Sequence, residues 1–356
     1  MKFRLWVAAS AVALSACGGG GGGNGFAGLP IAVATSPTGS TPATPAPEPV
    51  AVTPGPGPVE VTPEPTAPTA PTTPTPEALT PVYEALRVAS TNAEYLDQLN
   101  AQGARGFRNS EFLNAGYVKD SNTTYVYESL PTATDAAAWQ AQLNAQGARG
   151  FMRVTDKGDD TFYRKDTRST STFTYTILQK TSPPLPTPPT RAALEAWTRD
   201  DAAAFVEQAN AQGANGFYAD SPNFTGKVTR VNIYRKDSAS PAIYSYKIGA
   251  TPYVTRGGNV QQYRFEGASG FLLHTVFGSP VVVVGVTVYV KDISQSATFE
   301  FTQSANSFDD GISAAAANVE ARTGYVLFAR TLSTSGTGLS EYKKATGCTG
   351  FLCGAQ

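Results

Sequence analysis

Few side chains in this chain are suited to chemistry. Its 356 residues hold three cysteines, Cys17, Cys348 and Cys353, and one histidine, His274. A structural zinc site draws four ligands from such residues, and no cluster of them exists here, so no metal is expected. His274 follows Leu272 and Leu273 in an apolar run and reads as a core or edge residue rather than a base. No nucleophile or ligand cluster accompanies it. Nucleophile elbows, Walker loops and His-Glu-x-x-His helices are missing. Acidic pairs occur at Asp159-Asp160, Asp200-Asp201 and Asp309-Asp310. They keep open a hydrolase with an unrecognised carboxylate site, but two of them fall at expected helix starts, where acids suit the dipole. The expectation is a non-enzymatic chain without a cofactor.

The second strong signal in the sequence is internal repetition. Leu99 to Phe107, the run Leu-Asn-Ala-Gln-Gly-Ala-Arg-Gly-Phe, recurs unchanged as Leu143 to Phe151. Ala209 to Phe217 differs at two positions, and weaker copies end at Gly270-Phe271 and Gly324-Tyr325. Tyr-x-Lys-Asp follows the first four copies, at Tyr117, Tyr163, Tyr234 and Tyr289, with Tyr342-Lys343-Lys344-Ala345 as a degenerate fifth. Its lysines, Lys119, Lys165, Lys236 and Lys291, make a candidate surface comb for an anionic glycan or lipid. The plainer reading has each one snorkelling from a strand end.

An aromatic-x-aromatic pair comes next, at Tyr125/Tyr127, Phe173/Tyr175, Tyr244/Tyr246 and Phe299/Phe301. The fifth unit lacks this pair, which suggests that the chain ends within a repeat. The motifs predict one helix and three strands per unit, an α+β fold of tandem repeats with antiparallel sheets and helices on one face. Asn92, Asp135 and Asp201 are the expected helix caps, and Tyr95 with Leu99, or Trp139 with Leu143, fall on one helix face. Gly103, Gly147 and Gly213 are expected to take the left-handed conformation at helix ends. Gly106, Gly150 and Gly216, with Phe107, Phe151 and Phe217, open the following strand. Asn100, Asn144, Asn210 and Asn318 lie near helix C-termini, where their amides can bond orphan carbonyls.

Composition divides the chain. Residues 17–81 are dominated by Gly, Pro, Thr, Ala and Val and have too little large apolar surface to offset chain entropy, so they read as a disordered tether. The proline-rich run 182–190 suggests two lobes, 82–181 with units one and two and 191–356 with units three to five, the last incomplete. A cleft between the lobes would be the place for a hydrolase. The formal net charge of −1 and the lack of a basic stripe exclude nucleic acid as an expected partner.

The start of the chain carries a more specific signal. Lys2 and Arg4 precede a short apolar run that ends in Leu14-Ser15-Ala16-Cys17. This resembles the lipobox of bacterial lipoprotein signal peptides, and the run is too short to span a bilayer. The resemblance implies removal of residues 1–16 and lipidation of Cys17. Gly18, rather than Asp, after the cysteine implies sorting to the outer membrane. In an oxidising periplasm Cys348 and Cys353 can pair across a short loop. The Leu-Asn-x-x-Gly-x-x-Gly-aromatic pattern is similar to that of a small bacterial domain family of unknown function, which implies helix on sheet and no activity. The expected role is a lipid-anchored envelope protein displaying repeat modules to another envelope protein, peptidoglycan or a glycan. An inhibitor or immunity-type module against an envelope or secreted enzyme is the alternative.

Overall fold

A computed structural model describes residues 79–85, 87, 89–110, 116–188, 190–225, 228–249, 253–254, 259–278, 284–306, 310–332 and 338–354. The signal segment 1–16, Cys17 and the tether as far as residue 78 lie outside the described residues.

Each Gly-aromatic pair follows a helix and opens a strand. The first unit runs β1 (Val82–Ala85), α1 (Asn92–Ala104), β2 (Arg108–Asn109), β3 (Gly116–Lys119). The second runs β4 (Tyr125–Pro131), α2 (Ala136–Ala148), β5 (Met152–Lys157), β6 (Asp160–Asp166). The third runs β7 (Phe173–Gln179), α3 (Arg191–Gly213), β8 (Tyr218–Thr225), β9 (Thr229–Asp237). The fourth holds β10 (Tyr244–Ile248), a short β11 (Tyr253–Val254), α4 (Asn259–Ala268), β12 (Leu272–Phe277) and β13 (Val284–Asp292). The fifth is β14 (Thr298–Asn306), α5 (Asp310–Ala321), β15 (Val326–Leu332) and β16 (Gly338–Thr346). The fold is α+β, and its five sheets are antiparallel. In each sheet the Tyr-x-Lys-Asp strand is central, so the aromatic-x-aromatic strand pairs with the motif that follows it. The units therefore begin one strand earlier than motif order suggests. Motif order fixes which strands exist; their partners are set by non-local packing.

Each helix packs on the first strand of the next sheet: α1 on β4, α2 on β7, α3 on β10 and α4 on β14. The last helix, α5, packs on β1. The sheets thus form a closed cycle. The fifth unit is complete at its joint because Tyr83, on β1, takes the place that Tyr127, Tyr175 and Tyr246 hold elsewhere. The second aromatic that the last unit lacks is therefore supplied by β1, and Pro81, just before that strand, stands in the place of the first. Tyr83, Val118, Ala317, Ala321, Leu327 and Tyr342 make one buried cluster at this closure.

The proline run does not separate two bodies. β7 lies before it and pairs over its whole length with β9 beyond it, from Phe173 opposite Asp237 to Gln179 opposite Val231. Thr73–Gln356 form one compact unit. The expected cleft is filled by Trp139, Leu143, Tyr175, Val231 and Ile233. Arg153 and Asp220 bridge the same joint at 3.1 Å, both side chains buried. Prolines mark a stiff surface segment, not a domain border: Trp197 donates its indole N–H to the Pro183 carbonyl at 2.8 Å and pins the run to α3.

Two helix starts also differ from expectation. Thr91, one residue before Asn92, caps α1. The Asn92 amide instead reaches the second sheet, at the Lys157 carbonyl and the Asp160 carboxylate. α3 starts at Arg191, capped by Thr190, because the alanine-rich stretch after the prolines is already helical. Asp201 is thus buried mid-helix, where Lys180 pairs with it at 2.7 Å. Asp135 caps α2 as expected, accepting from Ala138 N–H.

The helix-end glycines have two distinct roles. Left-handed φ belongs to Gly106, Gly150, Gly216, Gly270 and Gly324, not to Gly103, Gly147 or Gly213. The backbone N–H of Phe107, Phe151, Phe217, Phe271 and Tyr325 reaches back five residues to a helix carbonyl, closing each helix in a Schellman turn. Gly147 is still helical, and a Cβ there would lie 2.0 Å from the Phe173 carbonyl oxygen on β7. It is a glycine of close approach. In a free helix Gly→Ala would stabilise by about 1 kcal/mol. Gly147→Ala should instead destabilise the protein by about 1–3 kcal/mol, because backbone must move to admit the methyl. Thermal or urea unfolding checks the sign; an unchanged or raised midpoint would contradict this packing.

Candidate ligand-binding site

Strand alternation divides the repeated motif among three environments. Its tyrosines, Tyr117, Tyr163, Tyr234, Tyr289 and Tyr342, are all buried in the joints. The lysines turn to the helix ends. Lys119 Nζ donates to the Arg105 carbonyl at 3.0 Å and Lys291 Nζ to the Ser269 carbonyl at 2.8 Å. In the degenerate fifth unit Lys344 Nζ does the same to Thr323. Lys165 and Lys236 sit 5.8 Å from the Phe151 and Phe217 rings, as Lys119 and Lys291 sit over Phe107 and Phe271. The expected comb is thus occupied as a set of clamps over helix C-termini, where a cation complements the dipole.

The asparagines serve the joints rather than their own helix ends. Asn100 donates to the Tyr127 carbonyl and accepts from the Tyr127 N–H. Asn144 does so with Tyr175, Asn210 with Tyr246 and Asn318 with Tyr83. At the fourth joint Arg264 replaces asparagine and donates to the Phe301 carbonyl. The tyrosine hydroxyls close the joint from the other side: Tyr127, Tyr175, Tyr246 and Tyr83 accept from the N–H of Asn109, Arg153, Ala219 and Leu327. In three of these cases the donor lies beside a register shift, so the hydroxyl satisfies an N–H at a bulge.

The remaining motif residue, aspartate, lines the cavities beside a C-terminal loop. Cys348 and Cys353 form a disulfide, their Cα atoms 5.6 Å apart, and close this loop. That loop meets all five units. Gly354 lies against Arg108 and Asp120, and Gly350 and Phe351 border a cavity with Met152 and Arg164. Phe351 packs edge-on to Tyr218, with ring centroids 5.0 Å apart, and under the Arg235 guanidinium at 4.9 Å. Thr349 and Gln295 exchange backbone and amide hydrogen bonds, and Lys343 Nζ donates to the Leu352 carbonyl at 2.6 Å. Only the axis of a five-membered cycle touches every member, so the loop caps one end of the axis.

Cavities of about 390 and 560 Å³ flank the loop and share Met152, Arg164, Phe173, Gly350 and Phe351. Together they form a crescent around Phe351. Asp120 and Asp166 line one limb, Asp237 and Asp292 the other. Arg108 holds Asp120 at 2.6 Å. Asp292 is engaged by Ser294 and Gln295. Asp237 accepts Ala239 N–H at Oδ1, and Asp166 accepts Arg168 N–H and the Thr123 hydroxyl at Oδ1. Within the described residues the Oδ2 atoms of Asp166 and Asp237 have no hydrogen bond to the protein. The recurrence of aspartate in every intact copy was the available signal. Turn chemistry accounts for one oxygen of Asp166 and of Asp237.

Three buried titratable groups lie away from the crescent's rim. His274 Nδ1 meets the Tyr218 hydroxyl at 3.2 Å, and its ring stacks on Phe205. Burial brings its pKa down to about 3, so it is a neutral core residue, as its apolar run suggested. Lys343, beneath the cap, is brought down to about 7 by burial. Glu341 occupies a position where other units carry Phe162, Ile233 or Val288, and burial pushes its carboxyl up to about 7. No protein-family model, curated protein or solved structure matches the chain.

Glu341 supplies a signed pH prediction. A carboxyl whose pKa is raised on folding stabilises the fold below its unfolded value, about 4.3, and that contribution is lost as pH rises through about 7. Glu341→Gln should therefore nearly match wild type near pH 4.5 and exceed it by about 3–4 kcal/mol at pH 8. Chemical denaturation at the two pH values checks this; a variant equal to or less stable than wild type at pH 8 would contradict it.

Proposed function

We propose that this chain is a non-enzymatic, lipid-anchored protein of the bacterial outer membrane that presents a rigid ring for binding, with the axial crescent as its ligand site. One observation carries the reading: the crescent is where residues of all five units, including the four motif aspartates, converge. A concave site with several convergent polar groups on a fixed scaffold suits recognition. The lone histidine supports a non-catalytic role, since it is buried, neutral and engaged by Tyr218. Anchoring is supported by the resemblance of Leu14-Ser15-Ala16-Cys17 to a lipobox and by the Gly/Pro-rich composition that separates Cys17 from the first strand. No helix among the described residues is long and apolar enough to cross a membrane.

The anchor is tested directly. Wild type should incorporate labelled palmitate and partition into detergent, whereas Cys17→Ser should lose the label and remain as an unprocessed precursor or appear in the aqueous phase. Equal labelling of the two proteins would overturn the anchored reading.

A further inference from the structure

We infer that the axial crescent binds a short, neutral oligosaccharide. The inference deepens the binding reading above and rests on it. The charges along the crescent nearly balance. Three guanidinium groups, Arg108, Arg164 and Arg235, line it with four carboxylates, Asp120, Asp166, Asp237 and Asp292. A polyanion would meet carboxylates and a polycation guanidinium groups, so neither is favoured.

This near balance places acceptors and donors on the same wall. A hydroxyl donates and accepts at once, so it suits a wall that carries both carboxylates and guanidinium groups. Asp166 and Asp237 each retain an oxygen without a protein partner among the described residues, one in each limb. Each is held in place through its other oxygen, so a ligand hydroxyl would meet a pre-positioned acceptor. Phe173, shared by both limbs and only partly buried, offers aromatic surface to the C–H face of a sugar ring. The volumes, about 390 and 560 Å³, fall within the range of small-ligand sites and suit two or three hexose rings bent around Phe351.

The full chain, purified in a sugar-free detergent, is titrated calorimetrically with chitotriose, cellotriose and maltotriose. Trigalacturonate and trilysine serve as charged comparisons. At least one neutral trisaccharide should bind with one-site stoichiometry and an affinity that changes little between 50 and about 500 mM salt. Asp166→Asn with Asp237→Asn keeps the oxygen that each turn needs and replaces the free carboxylate oxygen by an amide. This double variant should weaken binding on the order of tenfold or more, with an unchanged melting temperature. Lys119→Gln, outside the crescent, should bind as wild type does. If the double variant melts early, Phe173→Ala takes its place in the same titration. No binding of any neutral trisaccharide, binding untouched by the crescent variants, or preferred and steeply salt-dependent binding of a charged probe would overturn the inference. None of these outcomes depends on lipidation of Cys17, so failure here and failure of the anchor remain distinguishable.

Discussion

The edge of a β-sheet is the constraint on which this structure depends. Each three- or four-stranded sheet presents the outer edge of its first strand, a row of N–H and C=O groups open to any strand that can pair with it. The chain covers that edge with the helix of the preceding unit and offers the strand one asparagine, whose amide bonds both N–H and C=O of a single residue. Each such pair contributes about 1 kcal/mol per hydrogen bond. It also fixes which strand the helix covers and at what register. An edge covered by the preceding unit means that the first sheet has no natural partner unless the last helix returns to it. Asn318 and Tyr83 meet that requirement across a separation of 235 residues. Closure is thus the consequence of a local rule applied five times.

Closure in turn decides where function can reside. Tyrosines and helix aromatics fill the joints, lysines seal helix ends, and close-approach glycines let helix backbone touch strand backbone. What is left facing the axis is the end of each motif strand: Arg164 and Arg235 at the variable position, and the aspartates after the lysines. The disulfide-closed loop enters this space and, by touching every unit, converts an open axial end into a curved cavity. The fourth joint departs most from the pattern, with Arg264 for asparagine and Phe301 for tyrosine. It also borders the buried Glu341. Variation is concentrated where one clamp is already replaced.

Much of this was legible in the sequence. Repetition located every helix end and every motif strand, and the element types followed from glycine, aromatic and turn chemistry. The disulfide and the core place of His274 were also readable from spacing and neighbours. Partnership was not. Aromatic-x-aromatic strands look like the third strand of their own unit, because nothing local marks a strand that will pair with residues 30 or more positions ahead. The fifth unit looked truncated because its missing strand precedes the first helix. Gly103, Gly147 and Gly213 were assigned the wrong constraint because a glycine needed for close approach and one needed for positive φ are the same letter, three residues apart. The lysines read as snorkelling from strand ends or as a surface comb, and neither reading names their partners. The carbonyls that engage them become visible only once the helix end and strand end lie side by side.

The central claim is that the cycle is closed by β1, and hydrogen–deuterium exchange of Tyr83→Ala tests it most directly. The substitution removes a buried ring and the acceptor of the Leu327 N–H. Closure predicts faster exchange in α5 and β15, on the order of tenfold or more, as well as in β1 and β3, while α2 and β7 keep wild-type protection. Acceleration confined to β1 and β3, with α5 unchanged, would contradict a closed ring.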